Sequence, residues 1–136
     1  MTRINVVPPA ELTDQHLLAE IRELPRIFTL ARKRLEKHGK LDLGDIPNEY
    51  CLGAGHVKFF FLHLGWLHGR YSDLFFESAR RDFDCKYISE LWHGTYNDEM
   101  RDYVPTHKAL ILNRNRLRER INAKPYFSFS SGVGSP

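Results

Sequence analysis

The stretch DQHLLAEIRELPRIFTLARKRLEKH, residues 14–38, decides the fold class. Its apolar residues recur at Leu17, Ile21, Leu24, Phe28, Ala31 and Leu35, in alternating steps of four and three, which put one buried stripe along an α-helix. Leu12-Thr13-Asp14 supplies an N-cap ahead of the stripe. His38-Gly39 supplies a stop behind it, because glycine takes the left-handed conformation at little cost. A first helix is therefore expected at about 14–38. Pro25 lies inside it, and with no N–H to give it frees the Ile21 carbonyl and bends the helix.

Outward from this helix, residues 40–57 contain Gly44, Pro47, Gly53 and Gly55 and read as loop. A second helix is expected to begin soon after Phe59-Phe60-Phe61 and to run to about residue 82 on Leu64, Leu67, Tyr71, Leu74, Phe75 and Ala79. Gly65 and Gly69 weaken it by about 1 kcal/mol each relative to alanine, and their spacing permits another segment to pack closely. Residues 83–107 show little periodicity. A third helix is expected at about 107–123, stopped by Pro125, with Leu110, Leu117 and Ile121 turned inward. Without an alternating strand pattern or a repeat, the expected fold is all-α: a compact single domain of three helices with long irregular connections. It would occupy residues 1–129, with a disordered Ser/Gly tail at 130–136.

A chain of 136 residues with 42% hydrophobic content can bury one core but not two. Even the apolar run Phe59-Phe60-Phe61-Leu62 is broken at once by His63, far short of the roughly 18–20 residues a membrane span requires. No membrane association is expected. Met1-Thr2-Arg3-Ile4-Asn5 has no apolar region behind its arginine, so the chain is expected to be cytoplasmic and not secreted. Cys51 and Cys85, far apart and outside any CxxC pattern, are expected to be free thiols. The net charge of +3 separates along the chain, being +3 over residues 1–40, −5 over 41–102 and +5 over 103–136. A basic surface assembled from the two ends would be an electrostatic footprint for nucleic acid; solvated helix faces are the plainer account.

Arg22 and Arg26, four residues apart, can reach one patch, with Glu23 beside them and His16 two turns earlier on nearly the same side. This is a carboxylate among cations, or else an ordinary surface ion pair from Glu23 to Arg26, which is worth little. The third helix adds Arg114, Arg116, Arg118 and Arg120 with one acid, Glu119; Arg116 and Arg120 share a face. Such a cluster fits phosphate oxygens, and a solvated basic helix fits the same pattern. Tyr126-Phe127-Ser128-Phe129 either stacks on bases or closes the core. Gly53-Ala54-Gly55 lacks the third glycine of a dinucleotide fingerprint and marks a tight turn or a close backbone approach. His63 and His68 are five apart and no paired cysteines exist, so no zinc site is expected. Removal of Met1 ahead of the small Thr2 would leave a free α-amine of pKa about 7.7–8.0, a ready imine-forming nucleophile at neutral pH, or else an ordinary terminus with no use, as in most proteins that begin so.

Thr2-Arg3-Ile4-Asn5, Glu11-Leu12, Asp14-Gln15-His16-Leu17, Arg22-Glu23-Leu24-Pro25-Arg26 and Leu52-Gly53-Ala54-Gly55-His56-Val57 with Phe59-Phe60 occur together here. In them the chain resembles the pyrimidine-dimer DNA glycosylase/AP lyase family, the phage and viral repair enzymes of the endonuclease V type. The resemblance is close through about residue 83, loose over 84–102, and returns at Tyr103-Val104-Pro105 and the third helix. It implies a three-helix domain whose N-terminal segment passes between helices and brings the Thr2 amine beside Glu23. The implied activity is DNA repair by excision of ultraviolet-induced cyclobutane pyrimidine dimers, without metal or organic cofactor. Thr2 would be the nucleophile and Glu23 the catalytic carboxylate. Arg3, Gln15, His16, Arg22 and Arg26 would hold the damaged strand and the extruded nucleotide, with Arg116 and Arg120 as further DNA contacts. Tyr126, Phe127 and Phe129 would line the lesion pocket, where the family reads W-Y-K-Y-Y. In the second helix Gly65 and Gly69 stand where the family carries charge, and His63 and His68 replace basic residues. The implied partner is double-stranded DNA containing pyrimidine dimers or abasic sites, bound by a monomer. Two other readings stay open: a noncatalytic helical module for bent or damaged DNA, and an AP lyase of broader damaged-base specificity.

Overall fold

Thr13 starts the first helix, its hydroxyl oxygen accepting the His16 N–H at 3.1 Å and so pairing one of the donors a helix start leaves open. The computed structural model describes residues 3–89, 91, 102–123 and 128. It carries α1 over Asp14–Glu23 and α2 over Pro25–His38. The single helix expected at 14–38 is thus two. Pro25 returns no N–H to Ile21, and across the break the Ile27 N–H reaches back only three residues, to the Leu24 carbonyl at 3.0 Å. Leu24 nevertheless keeps helical dihedrals, φ −57° and ψ −42°, so the angular register runs through the break. For that reason the stripe survives: Leu17, Ile21, Leu24, Phe28 and Ala31 are buried and Leu35 is partly buried. Gly39 ends α2 at φ 74°.

Helical structure resumes earlier than expected. A short α3, His56–Phe59, and a 3-10 turn, Phe60–Leu62, precede α4, Leu64–Arg80. The aromatic run therefore forms these turns instead of leading into a helix; elements of four and three residues are too short for a periodicity to reveal. Phe59 and Phe60 are buried with Tyr50, and Trp66 stacks on Phe60 at 5.6 Å between ring centroids. His63 lies against Phe59 and Tyr103, while His68 and Gly69 are exposed. Among the described residues nothing stands within 4 Å of a Cβ built on Gly69, and none of their segments packs closely there.

The last helix, α5, spans His107–Ala123 as expected, but its inward row differs. Ala109, Asn113 and Leu117 are buried, whereas Leu110 and Ile121 are only half-buried. The polar Asn113 takes a core position because the segment it faces needs a hydrogen-bond acceptor. Helix α1 packs on α4, and Arg81, just past α4, joins their ends by ion pairs to Asp14 at 3.0 Å and Glu77 at 2.7 Å. The fold is all-α, with no strand among the described residues. Cys51 and Cys85 are free. No described helix is long and apolar enough to cross a membrane. The tail expected at 130–136 lies outside the described residues.

Candidate active site

Residues Ile4, Asn5, Val6 and Val7 are buried without forming helix or strand, so every backbone group they carry needs a partner from elsewhere. The Ile4 N–H donates to His56 Nε2 at 2.8 Å, and the Ile4 carbonyl accepts from the Tyr50 hydroxyl at 2.9 Å. The N–H groups of Val6 and Val7 both donate to Asn113 Oδ1, at 2.6 and 3.1 Å. The Val7 carbonyl accepts from Arg70 Nη1. Asn5 donates its amide to Glu20 Oε1 at 2.8 Å and accepts from Asn113 Nδ2 at 2.7 Å. Helices α1, α3, α4 and α5 thus each contribute a side chain to one strap of chain that passes among them.

Two of those side chains are a buried ion pair. Arg70 Nε lies 2.8 Å from Glu20 Oε2 and Nη2 lies 3.1 Å from Oε1, with side-chain exposures of 4% and 0%. Burying such charges is tolerable only where the geometry is good and the remaining donors and acceptors are satisfied. Here Asn5 and the Val7 carbonyl complete the set.

The strap delivers Arg3 to the end of α1, where its backbone N–H donates to Glu23 Oε2 at 3.2 Å. Glu23 is half-exposed, and no ion pair among the described residues joins it to Arg26. Burial, followed by the positive charges of Arg116 and Arg120, lowers the pKa of the half-buried Arg3 guanidinium. Burial, followed by the charge of Arg120, lowers that of His16, whose Nδ1 sits 2.8 Å from Thr13 Oγ1. The N-terminal strap, α1 and α5 therefore bring Arg3, His16, Arg116 and Arg120 near enough for their charges to act on one another, with Glu23 held at the Arg3 backbone N–H. Such a focus of positive potential suits phosphate, and its carboxylate suits a cationic intermediate.

A family model described as pyrimidine dimer DNA glycosylase matches residues 1–90. The chain belongs to this family. It is a DNA-repair glycosylase whose substrate is DNA containing pyrimidine dimers. The match takes in the strap, Glu23 and His56, while Arg116 and Arg120 lie beyond it.

In the glycosylase, the expected site residues fall into four groups. Arg3, His16, Glu23, Arg116 and Arg120 come together as described. Arg22 and Arg26 are exposed, and no carboxylate lies within salt-bridge distance of either among the described residues. Gln15 is engaged within the chain: its Oε1 accepts the Ser128 N–H at 2.8 Å, beside the 2.6 Å bond from the Asp14 N–H to the Ser128 carbonyl. Thr2, Tyr126, Phe127 and Phe129 lie outside the described residues.

Glu20, Tyr50, Arg70 and Asn113 were not among the sequence candidates, and His56 was quoted only within a motif. Two signals marked Glu20, Arg70 and the segment of His56, and none marked Tyr50 or Asn113. Glu20 falls between Leu17 and Leu24 at helical spacing and Arg70 between Leu67 and Leu74, each a charge in an apolar row. The second signal is the Gly53-Ala54-Gly55 turn, with φ 72° and 89° at its glycines. A Cβ on Gly55 would stand 2.8 Å from Pro47 Cγ, so glycine is needed there for both conformation and space. The turn serves to aim His56.

Proposed function

We propose that the chain is a bifunctional glycosylase and AP lyase whose nucleophile is the α-amine of Thr2, freed by loss of Met1. The observation that carries this reading is the bond from the Arg3 N–H to Glu23. Covalent geometry keeps consecutive backbone nitrogens within about 3.7 Å of each other, which supports a reading in which a free amine one residue earlier would act beside that carboxylate.

The amine lone pair forms a bond to C1′ of the 5′ nucleotide of the dimer, and the electrons of the glycosidic bond leave with the pyrimidine. Glu23 stabilises the oxocarbenium-like charge that develops on the sugar. The nitrogen then gives up its proton, its lone pair closes a C=N bond as C1′–O4′ breaks, and O4′ is protonated. The resulting iminium acidifies C2′; Glu23, directly or through water, takes that proton, and the C3′–O3′ bond breaks with release of the 3′ phosphate. Water finally hydrolyses the iminium and returns the amine. Amine, carboxylate and water balance every step, so no metal or organic cofactor is invoked.

C1′ is shielded in stacked duplex, so the enzyme must extrude a nucleotide at a cost of about a few kcal/mol, least where a dimer has already weakened pairing. Arg22, Arg26, Arg116 and Arg120 offset that cost by holding phosphates, with Arg3, Gln15 and His16 at the extruded nucleotide. Tyr126, Phe127 and Phe129 are proposed to line the lesion pocket, and the enzyme to act as a monomer. Borohydride added during turnover on an abasic or dimer-bearing duplex should trap a protein–DNA adduct at the N-terminal peptide. An adduct at a lysine such as Lys33 or Lys124, or full activity with an acetylated terminus, would overturn the reading.

A further inference from the structure

We infer that His56 is a positioning residue for the N-terminal nucleophile, and that it serves only as the neutral imidazole carrying its proton on Nδ1. The inference rests on the amine reading above. His56 touches no substrate; it acts through Ile4, two residues from Thr2.

Both ring nitrogens are committed. Nδ1 lies 2.7 Å from the Cys51 carbonyl, which can only accept, so Nδ1 bears the proton. Nε2 lies 2.8 Å from the Ile4 N–H, which can only donate, so Nε2 must keep its lone pair. Of the three protonation forms of imidazole one satisfies both bonds. The ring has little freedom to seek another arrangement, being 3% exposed and set edge-on against Tyr50 at 5.5 Å and Phe60 at 5.6 Å. Its backbone is fixed by the glycine turn, through the His56 N–H on the Gly53 carbonyl at 3.1 Å.

Protonation of Nε2 would set N–H against N–H at Ile4. The titratable and charged groups that face the ring supply no counter-ion. Among the described residues they are Tyr50 from the loop, Arg3 from the strap and Arg116 from α5; Cys51 meets the ring only through its backbone carbonyl. Burial pushes the imidazole pKa down, the Cys51 carbonyl opposes this, and the cations Arg3 and Arg116 add to the lowering. The ring therefore stays neutral at physiological pH. In acid it would lose the Ile4 anchor and with it the register of Arg3 and the amine on Glu23.

The test uses the full chain with its native terminus, a duplex bearing one abasic site, and single-turnover borohydride trapping from acid to neutral pH. His56→Gln keeps an acceptor and a donor on one carbon but cannot titrate in this range. His56→Leu removes both. At neutral pH, His56→Gln should trap near the wild-type rate, while His56→Leu should lose about 100-fold, the scale of a small misplacement, at unchanged DNA affinity. Toward acid, the wild-type rate should steepen from first to second order in protons below the imidazole pKa, and His56→Gln should stay first order. Identical acid limbs in wild type and His56→Gln would overturn the proposal even if His56→Leu does not fold. So would an unimpaired, folded His56→Leu. A wild-type chain that gives no N-terminal adduct would instead overturn the amine reading itself.

Discussion

Arg3 donates its backbone N–H to Glu23 Oε2 at 3.2 Å, and Oε1 of the same carboxylate has no hydrogen-bond partner among the described residues. A carboxylate held by a backbone donor has a fixed position, whereas one paired with a long arginine side chain moves with it. Its open oxygen is available for a sugar cation or a C2′ proton.

Replacing Glu23 with Gln preserves shape and the capacity to accept the Arg3 N–H but removes charge and basicity. Base release and strand nicking should fall by at least about 100-fold, with DNA affinity changed only a few-fold. Equal cutting by the variant would leave Glu23 as nothing more than an acceptor for the strap.

The proposed amine can attack only when unprotonated, so the rate should fall as pH drops below its pKa. That value should lie at or below the ordinary 7.7–8.0, because Arg3, Arg116 and Arg120 repel a further positive charge. One extra residue ahead of Thr2 should abolish trapping while part of the affinity survives. A rate independent of pH between 6 and 9, measured in single turnover, would contradict this.

Arg22→Ala, Arg26→Ala, Arg116→Ala and Arg120→Ala should each weaken binding and flatten its salt dependence. Each lost phosphate contact should remove about 0.9 from the slope of log K against log salt. An unchanged slope, measured by fluorescence anisotropy across a salt series, takes that residue off the DNA interface.

Arg70→Met would strand Glu20 as a buried unpaired carboxylate and leave the Val7 carbonyl without this donor. The expected loss is about 3–5 kcal/mol, lowering the thermal midpoint by something on the order of 10 °C. A loss below about 1 kcal/mol would mean that the strap does not depend on the pair.

His16 and His56 both titrate below the ordinary histidine value in the folded chain. Between the folded and unfolded values the unfolded chain binds more protons, so their contribution to stability is complete above about pH 6.5 and is lost as pH falls through the folded values. Arg120→Ala should raise the His16 pKa by removing part of what lowers it, burial being the rest. NMR titration of the His16 ring checks this; an unmoved pKa would separate the two residues.

Local pattern carried much of this protein. The stripe from Leu17 to Leu35 specified a helical face that outlasted its break at Pro25, and the basic run announced the helix that becomes α5. The glycine pair at 53 and 55 announced a turn, as conformational cost alone requires. What the turn is for was not legible, because its product is an imidazole meeting Ile4, 52 residues away in sequence. Nor could helical spacing tell that Asn113 faces inward to serve Val6 across 107 residues, or that Glu20 and Arg70 neutralise each other across 50. Periodicity records how a segment faces solvent and core. The partner of a buried N–H, carbonyl or charge depends on which other segments arrive there, and only the packed helices bring them.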